Sequence, residues 1–370
     1  MNILHIANDF SNSNLYKHLV LHLDQLGIKQ AVYSAVRTQS ETQFNLAEIN
    51  NIHIRNILKS YDRILYRLKI RKIYNDLASQ IALSNIDLVH AHTLYSDGGV
   101  AQKLKKSRGI PYIVAVRSTD MNSFQKYRPD LRIRRNTILR EAQNVIFTSP
   151  THRNQYLSLI NGGMYKDIEK KSMTIPNGID PFFLEDFPQI NTQKKSELKL
   201  LYVGTFIQRK NVINLIKAVK KLNDKRPVKL TLVGGGGVLE EEVRAEKHSS
   251  INFVGKITDR NKLREVYRSH NMFVMVSRAE TFGLVYIEAL SQGLPVIHKK
   301  NDAIDGYFEE GTVTETVTNM ESPDEIAHKI NELSQRLSVN LQKECVRQAQ
   351  QFSWSQITST YEKMYNSIVL

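Results

Sequence analysis

The densest run of residues able to do chemistry is Ser277–Pro295, SRAETFGLVYIEALSQGLP. An apolar strand pattern ends near Val276, a polar loop leads to Phe282-Gly283, and a helix pattern begins near Leu284. The start of a helix offers unpaired backbone N–H groups and the positive end of its dipole, which together favour a phosphate. Gly283 lets such an anion come close to the backbone. Glu280 precedes the helix and Glu288 stands about one turn inside it. Carboxylates in those places can hold sugar hydroxyls through charge-assisted hydrogen bonds. Alternatively, two acids at a helix start simply complement its dipole from the surface.

Other candidates carry less. His90 and His92 alternate by two at a strand end and so point to one face. Such a pair can chelate a metal, but no cysteine or third ligand stands nearby in sequence, and metal sites need three or more. No metal site is expected. Gly234–Gly237 lacks the spacing of a dinucleotide fingerprint and reads as a permissive turn. No pair of aspartates occurs as D-x-D, so a metal bridging a diphosphate is not expected either. Charge on a leaving group must then be met by protein donors.

The elements that position these residues repeat as strand, turn and helix. Strands are expected at Asn2–Ala7, Gln30–Ala35, Asp87–His92, Tyr112–Val116 and Val145–Thr148. After the polar stretch Gln189–Glu197, which reads as a linker, the pattern restarts. Strands are then expected at Lys199–Val203, Lys229–Val233, Ile251–Val254, Met272–Val276 and Pro295–His298. Helical segments lie between them at about 211–222, 238–247, 259–269 and 284–292. Such alternation implies an α/β chain of two Rossmann-like, doubly wound domains, 1–188 and 189–352, facing each other across a cleft. The segment 353–370 reads as a helix, with Trp354 as its packing anchor, and is expected to pack back on the first domain.

The string Glu280-Thr-Phe-Gly-Leu-Val-Tyr-Ile-Glu288, followed by Ala289-Leu290 and Gly293-Leu-Pro-Val-Ile297, resembles the E-x7-E signature of retaining glycosyltransferases of family 4. Those enzymes have the two-domain GT-B fold. Tyr202-Val-Gly204 followed by Arg209-Lys210, Ile175-Pro-Asn-Gly-Ile-Asp180, Leu232-Val-Gly-Gly235 and Phe253-Val-Gly255 are similar to further segments of that family, in the same order. His90-Ala-His92 and Val116-Arg-Ser-Thr-Asp120 are similar to its acceptor-side motifs.

The resemblance implies roles. Glu288 would hold the ribose hydroxyls of a nucleotide, and Glu280 would face the donor sugar. Gly204, Thr281 and the backbone of Phe282, Gly283 and Leu284 would border the diphosphate, with Lys210 and Arg209 neutralising it. Gly255 and Lys256 would lie near the base. His92 would stand beside the donor sugar as a catalytic residue with Glu280 and Lys210. Asn12, Arg117 and Asp120 are acceptor-side candidates, with an internal Arg117–Asp120 ion pair as the alternative. Two departures stand out: Thr205 follows the strand glycine where the family usually has Arg, and the loop Asp9-Phe-Ser-Asn-Ser-Asn14 replaces a glycine-rich one. The implied chemistry is same-face transfer from a nucleotide diphosphate sugar, UDP-linked, to a glycan or lipid-linked acceptor. It needs no metal or other cofactor and no covalent intermediate. A bacterial surface polysaccharide pathway is the expected setting.

Composition narrows the rivals. The 370 residues are 41% hydrophobic and 24% charged, ordinary for a globular chain, which excludes disorder and collagen. The single cysteine, Cys345, excludes an intramolecular disulfide. No signal peptide and no transmembrane run is read, so a cytoplasmic protein is expected, peripheral to the inner face of the cell membrane. The net charge of +14 concentrates in residues 1–160, with 22 Lys+Arg against 11 Asp+Glu. Ile54–Tyr74 reads as a basic amphipathic helix, and Lys126–Arg140 adds five arginines. Such a helix either packs its apolar stripe into the core or docks on anionic lipid. Two other functions stay open: a nucleotide-sugar epimerase or hydrolase on the same fold, and a polyanion binder. The chain carries no nucleic-acid recognition motif, so no nucleic-acid partner is expected.

Overall fold

The computed structural model describes residues 1–37, 48–117, 119–121, 127–160, 162–188 and 197–370. Their strands form two sheets in which the named strands all pair in parallel. The first sheet contains β1 (Asn2–Ile6), β2 (Lys29–Val36), β3 (Ile52–Asn56), β4 (Leu88–Ala91), β5 (Tyr112–Val116), β6 (Val145–Phe147) and β7 (Ser172–Thr174). Its spatial order is β3-β2-β1-β4-β5-β6-β7. The second contains β8 (Leu198–Gly204), β9 (Val228–Gly234), β10 (Ile251–Gly255), β11 (Met272–Val274), β12 (Val296–Lys299) and β13 (Thr314–Val317), ordered β10-β9-β8-β11-β12-β13. Every residue of β4, β5 and β11 is buried, as a parallel sheet covered by helices on both faces requires.

Three strands are not among those expected from the sequence: β3, β7 and β13. All lie at sheet edges, and each has only three to five residues, several of them polar. The single basic helix expected over 54–74 is not one element. Ile54–Asn56 complete β3, in register with β2 through Ser34↔Ile54 and Ala35↔Arg55. Ser60–Arg63 forms a 3-10 turn, and the helix runs from Tyr66 to Gln80. The alternation Ile52-His-Ile54-Arg suits a strand period of two, and backbone pairing to β2 outweighs the helical spacing of the apolar residues.

The chain divides into two compact units, residues 1–178 with 354–370, and residues 179–353. The division falls at Gly178 rather than at 188. Ile179 and Phe183 are already buried in the second core, so the chain has entered that unit before the polar stretch begins. The expected linker at 189–197 lies outside the described residues except for Glu197. The closing helix, Trp354–Val369, belongs to the first unit. Its Trp354, Ile357, Tyr361, Met364 and Tyr365 share a core with Ile3, Leu88, Ile113 and Ile146 of the sheet.

Gly178 sits under the Trp354 ring. A Cβ there would stand 2.5 Å from two ring carbons. Overpacking of this kind costs about 1–3 kcal/mol, so Gly178→Ala is expected to lower stability by that amount in denaturant unfolding. An unchanged midpoint would show that Trp354 does not anchor the closing helix.

Candidate active site

In the second unit β8 is the first strand yet lies inside the sheet, between β9 and β11. The switch point therefore falls between β8 and β11, and the loops after these two strands are where a ligand is met. Hydrogen bonds tie the loops together. The Arg278 N–H donates to the Arg209 carbonyl at 2.8 Å, and the Arg209 guanidinium donates to the Ala279 carbonyl at 2.8 Å. Arg278 also donates to the Gln208 carbonyl and forks onto Glu321 at 2.5 and 2.7 Å.

Glu280 is the point where the loops converge. Its N–H donates to the Asp302 carboxylate at 2.8 Å. Its own carboxylate takes Lys210 Nζ on Oε2, while Oε1 accepts the Thr281 N–H at 3.0 Å and lies 3.5 Å from Arg209 Nη1. The Glu280 side chain is 9% exposed, and Lys210 rests on Met275 Sδ at 3.7 Å. A carboxylate this far from water is tolerated because ion pairing and N–H donation replace its hydration. Two cations face one carboxylate, so the trio keeps a positive surplus. That surplus suits a bound anion.

Gly283 caps the helix Leu284–Ser291 with φ of +77°, and a Cβ there would stand 2.5 Å from the Tyr286 ring. Only glycine fits that backbone. Phe282 turns its ring into the core against Tyr307 and Phe352 and so presents backbone to a ligand. Within the helix, Glu288 accepts the Tyr267 hydroxyl at 3.0 Å. Burial pushes the Glu288 pKa up to about 7, against the opposing Tyr267 hydrogen bond; Asp180, ion-paired with Arg260 at 2.9 Å, adds to the rise. Gly204 ends β8, where its carbonyl accepts the Gly235 N–H at 3.3 Å. Gly255 ends β10, and the exposed Lys256 lines a hollow of about 620 Å³ with Asp259 and Lys262. Lys210, Arg209, Glu280 and Thr281 are thus brought into direct contact, while Glu288 and Lys256 stand in separate settings.

The first unit arranges its candidates differently. His5 pairs with His90 across β1 and β4, and the His90 and His92 rings stack with centroids 3.9 Å apart. His5 Nδ1 and His92 Nε2 share a hydrogen bond of 2.9 Å, and His90 Nδ1 meets the Tyr365 hydroxyl at 2.7 Å. All three are buried. Burial holds His5 down to about 4 and the other two well below the ordinary range. The third imidazole that the sequence did not put near the H-x-H pair is therefore present. One nitrogen from each ring falls within 4.8 Å of the others, spacing that could admit a metal ion. His92 lies at 21° to His5 and at 25° to His90 between ring planes, and His5 and His90 are tilted at 45°. His92 itself is 1% exposed.

Asp120 is buried and accepts the N–H groups of Leu94 (3.1 Å), Tyr95 (3.4 Å) and Arg117 (2.9 Å). Burial pushes its pKa up to about 6 despite these donors. The Arg117 guanidinium turns away to the His92 carbonyl at 3.2 Å and Asn177 Oδ1 at 3.1 Å. Arg117 and Asp120 are thus joined through the Arg117 backbone N–H. The Asn12 side chain lies outside the described residues.

Sequence reasoning missed His5, Asp302 and Tyr267. His5 had one usable signal, its place near the end of the first strand, where the switch-point rule looks for chemistry. Asp302 and Tyr267 had none, because each meets its partner across more than twenty residues of chain.

Comparison with known proteins gives the same outline. Residues 13–182 match the model for Glycosyltransferase Family 4, and residues 184–352 match that for Glycosyl transferases group 1. An uncharacterized glycosyltransferase of Methanocaldococcus jannaschii is 24% identical, covering 92% of this chain and 95% of its own. Among solved structures, a sucrose-phosphate synthase from Thermosynechococcus elongatus superposes with a TM-score of 0.74 at 20% identity, over 100% of this chain and 99% of its own. The Anabaena protein HepE, solved with UDP and glucose, gives 0.72 at 17% identity, over 99% and 100%.

The raised Glu288 pKa predicts a pH effect. A carboxyl whose folded pKa exceeds its ordinary value of 4.5 binds its proton more tightly in the folded chain. Its contribution to stability is present below 4.5 and is lost as pH rises through about 7. Melting curves from about pH 5 to about pH 8 should therefore show the wild type falling relative to Glu288→Gln. A constant gap between the two would remove the claim.

Proposed function

The chain belongs to the GT-B glycosyltransferases of the family 4 type, and on that premise we propose that it transfers a sugar from UDP to a glycan or lipid-linked acceptor with retention of configuration and without a metal. The observation that carries this reading is the Glu280–Lys210–Arg209 cluster beside the glycine-capped helix at the β8–β11 switch point. A diphosphate suits the positive surplus and the helix N-terminus, which supply charge stabilisation where a D-x-D metal site would otherwise be needed. A UDP donor is supported by the HepE structure, which holds UDP and glucose. Glu288, partly exposed on the same helix, is suited to accept ribose hydroxyls.

On this reading Lys210 meets the diphosphate and releases part of its hold on Glu280, which turns to the donor sugar. The acceptor hydroxyl attacks from the face that the leaving phosphate vacates. A phosphate oxygen takes the proton, so no enzyme nucleophile is required. The setting we propose is bacterial surface polysaccharide synthesis on the cytoplasmic side of the membrane.

Membrane contact is supported by the first unit's surface. Among the described residues no helix is long and apolar enough to cross a membrane. Tyr61, Ile64, Leu65 and Leu68 are nonetheless exposed, Ile64 by 75%, and Ile133 is exposed by 76%. Arg128 donates to the carbonyls of Arg63 and Ile64 at 2.9 and 3.3 Å, which joins the two basic segments. Apolar side chains set among arginines suit an anionic leaflet.

Four measurements test this function. Transfer from a panel of UDP-sugars should fall at least ~100-fold in Glu280→Ala and in Lys210→Ala, the scale of losing a stabilising group for a developing charge. Excess EDTA should leave the wild-type rate unchanged, and NMR of the product should show the donor's anomeric configuration. Near-normal transfer by both variants would sink the site, and donor consumption without a glycosylated product would turn the reading toward a hydrolase. In a separate assay, wild type should sediment with anionic vesicles and lose this in Ile64→Asp/Leu68→Asp. Equal sedimentation of both proteins would remove the membrane surface.

A further inference from the structure

The loop that follows β12 reaches back to the segment around Glu280 at two points. Lys299 Nζ donates to the Arg278 carbonyl at 2.6 Å. The Glu280 N–H donates to the Asp302 carboxylate at 2.8 Å. One grip takes a carbonyl and the other an N–H, one on each peptide unit flanking Ala279. Lys299 Nζ and Asp302 Oδ2 lie 4.0 Å apart, which links the two grips.

The turn that carries Asp302 is strained. Asn301 has φ of +59° and Ala303 has φ of +50°, so the residues on both sides of Asp302 are left-handed. Asparagine tolerates that region, but alanine rarely enters it. Ala303 is 1% exposed, and Ile304 beside it is fully buried. The Asp305 carboxylate accepts the Asn301 N–H at 2.6 Å, and the Asp305 N–H donates to the Asp302 carbonyl at 3.0 Å. The Lys300 N–H ties the start of the turn to the Val317 carbonyl of β13 at 2.9 Å. A left-handed alanine persists only where its surroundings over-determine it, and such outliers gather at functional sites. What this turn delivers is the Asp302 carboxylate, set against the Glu280 N–H.

We infer that Asp302 is a positioning residue for Glu280, with Lys299 as its partner in a backbone clamp. The inference rests on the glycosyltransferase reading, since it concerns how Glu280 meets the donor sugar. On that reading the Glu280 carboxylate gives up part of its hold on Lys210 when the diphosphate binds. The turning side chain then needs a backbone that stays in place. The Lys210 contact is made to the carboxylate and is the one that changes. The Asp302 contact is made to the backbone N–H, which a turning side chain leaves alone. A misplacement of ~1 Å at a reacting group costs on the order of 100-fold in rate.

The test compares Asp302→Ala, Asp302→Asn and Lys299→Met in the full chain. Turnover is read as UDP released from the best donor of the UDP-sugar panel, per UDP-binding site counted by calorimetry. Counting sites removes any loss that comes from unfolded chain. Asp302→Ala should bind UDP like wild type and turn over ~10- to 100-fold more slowly. Asp302→Asn keeps an oxygen for the Glu280 N–H and should turn over well above Asp302→Ala. Lys299→Met keeps the aliphatic stem, and it too should turn over slowly with UDP binding intact. In the Glu280→Ala background, Asp302→Ala should add little, because both changes act through one group. Normal turnover in Asp302→Ala, equal loss in both Asp302 variants, or a full second loss on top of Glu280→Ala overturns the inference. Should Asp302→Ala fail to fold, Lys299→Met decides: slow turnover with normal UDP binding upholds the clamp, and normal turnover overturns it. Failure of the wild type to bind UDP instead removes the donor reading beneath.

Discussion

The governing constraint is the place of the first strand in each sheet. Parallel strands need crossovers, and a crossover of fixed hand must leave toward one side of the sheet or the other. In both units the first strand lies inside the sheet, with its successor on one side and a later strand on the other. The loops after those two neighbours part, and backbone N–H groups are left facing the gap. The Glu280 cluster stands at one such point, and a cavity of about 910 Å³ stands at the other.

At the switch point between β8 and β11 the electrostatics are built before any ligand arrives. Glu280 holds Lys210 and Arg209 on one side and Asp302 through its backbone on the other. A carboxylate this buried is expensive alone and acceptable in a network. The same network keeps two cations in place near a helix start, where solvent reorganisation need not be repeated at the moment of reaction. Glu288 differs in kind. Burial pushes its pKa up to about 7 and Asp180 adds to the rise, against the lowering hydrogen bond from Tyr267. Two glutamates eight residues apart thus carry distinct charge behaviour, set by their neighbours.

The basic excess of the first unit also resolves into parts with different surroundings. Some arginines are committed to structure: Arg117 supports the His92 carbonyl, and Arg128 ties Arg63 and Ile64 to its own segment. Others, Arg37 and Arg63, face that cavity. The surface ones stand among exposed aliphatic side chains. Net charge by itself does not distinguish these roles, because it is blind to which guanidinium already has an acceptor.

How much was legible follows from the range of each interaction. Strand, loop and helix around Glu280 are local, and the sequence by itself determined them: apolar runs set the buried strands, Gly283 set the positive φ, and the segment Glu280–Glu288 sits on one loop and one helix. The alternation of strands and helices determined the two-sheet α/β class for the same reason. What only the tertiary structure decided are pairings between distant stretches. It put His5 against His90, Asp302 under Glu280 and Tyr267 on Glu288, and it ended the first unit at Gly178, where Trp354 returns. It also made Ile54–Asn56 a strand, although the local apolar spacing is helical, because β2 offers that edge a backbone partner. Local periodicity fixes what an element buries; which groups meet at its end depends on strand order, and strand order is a property of the whole sheet.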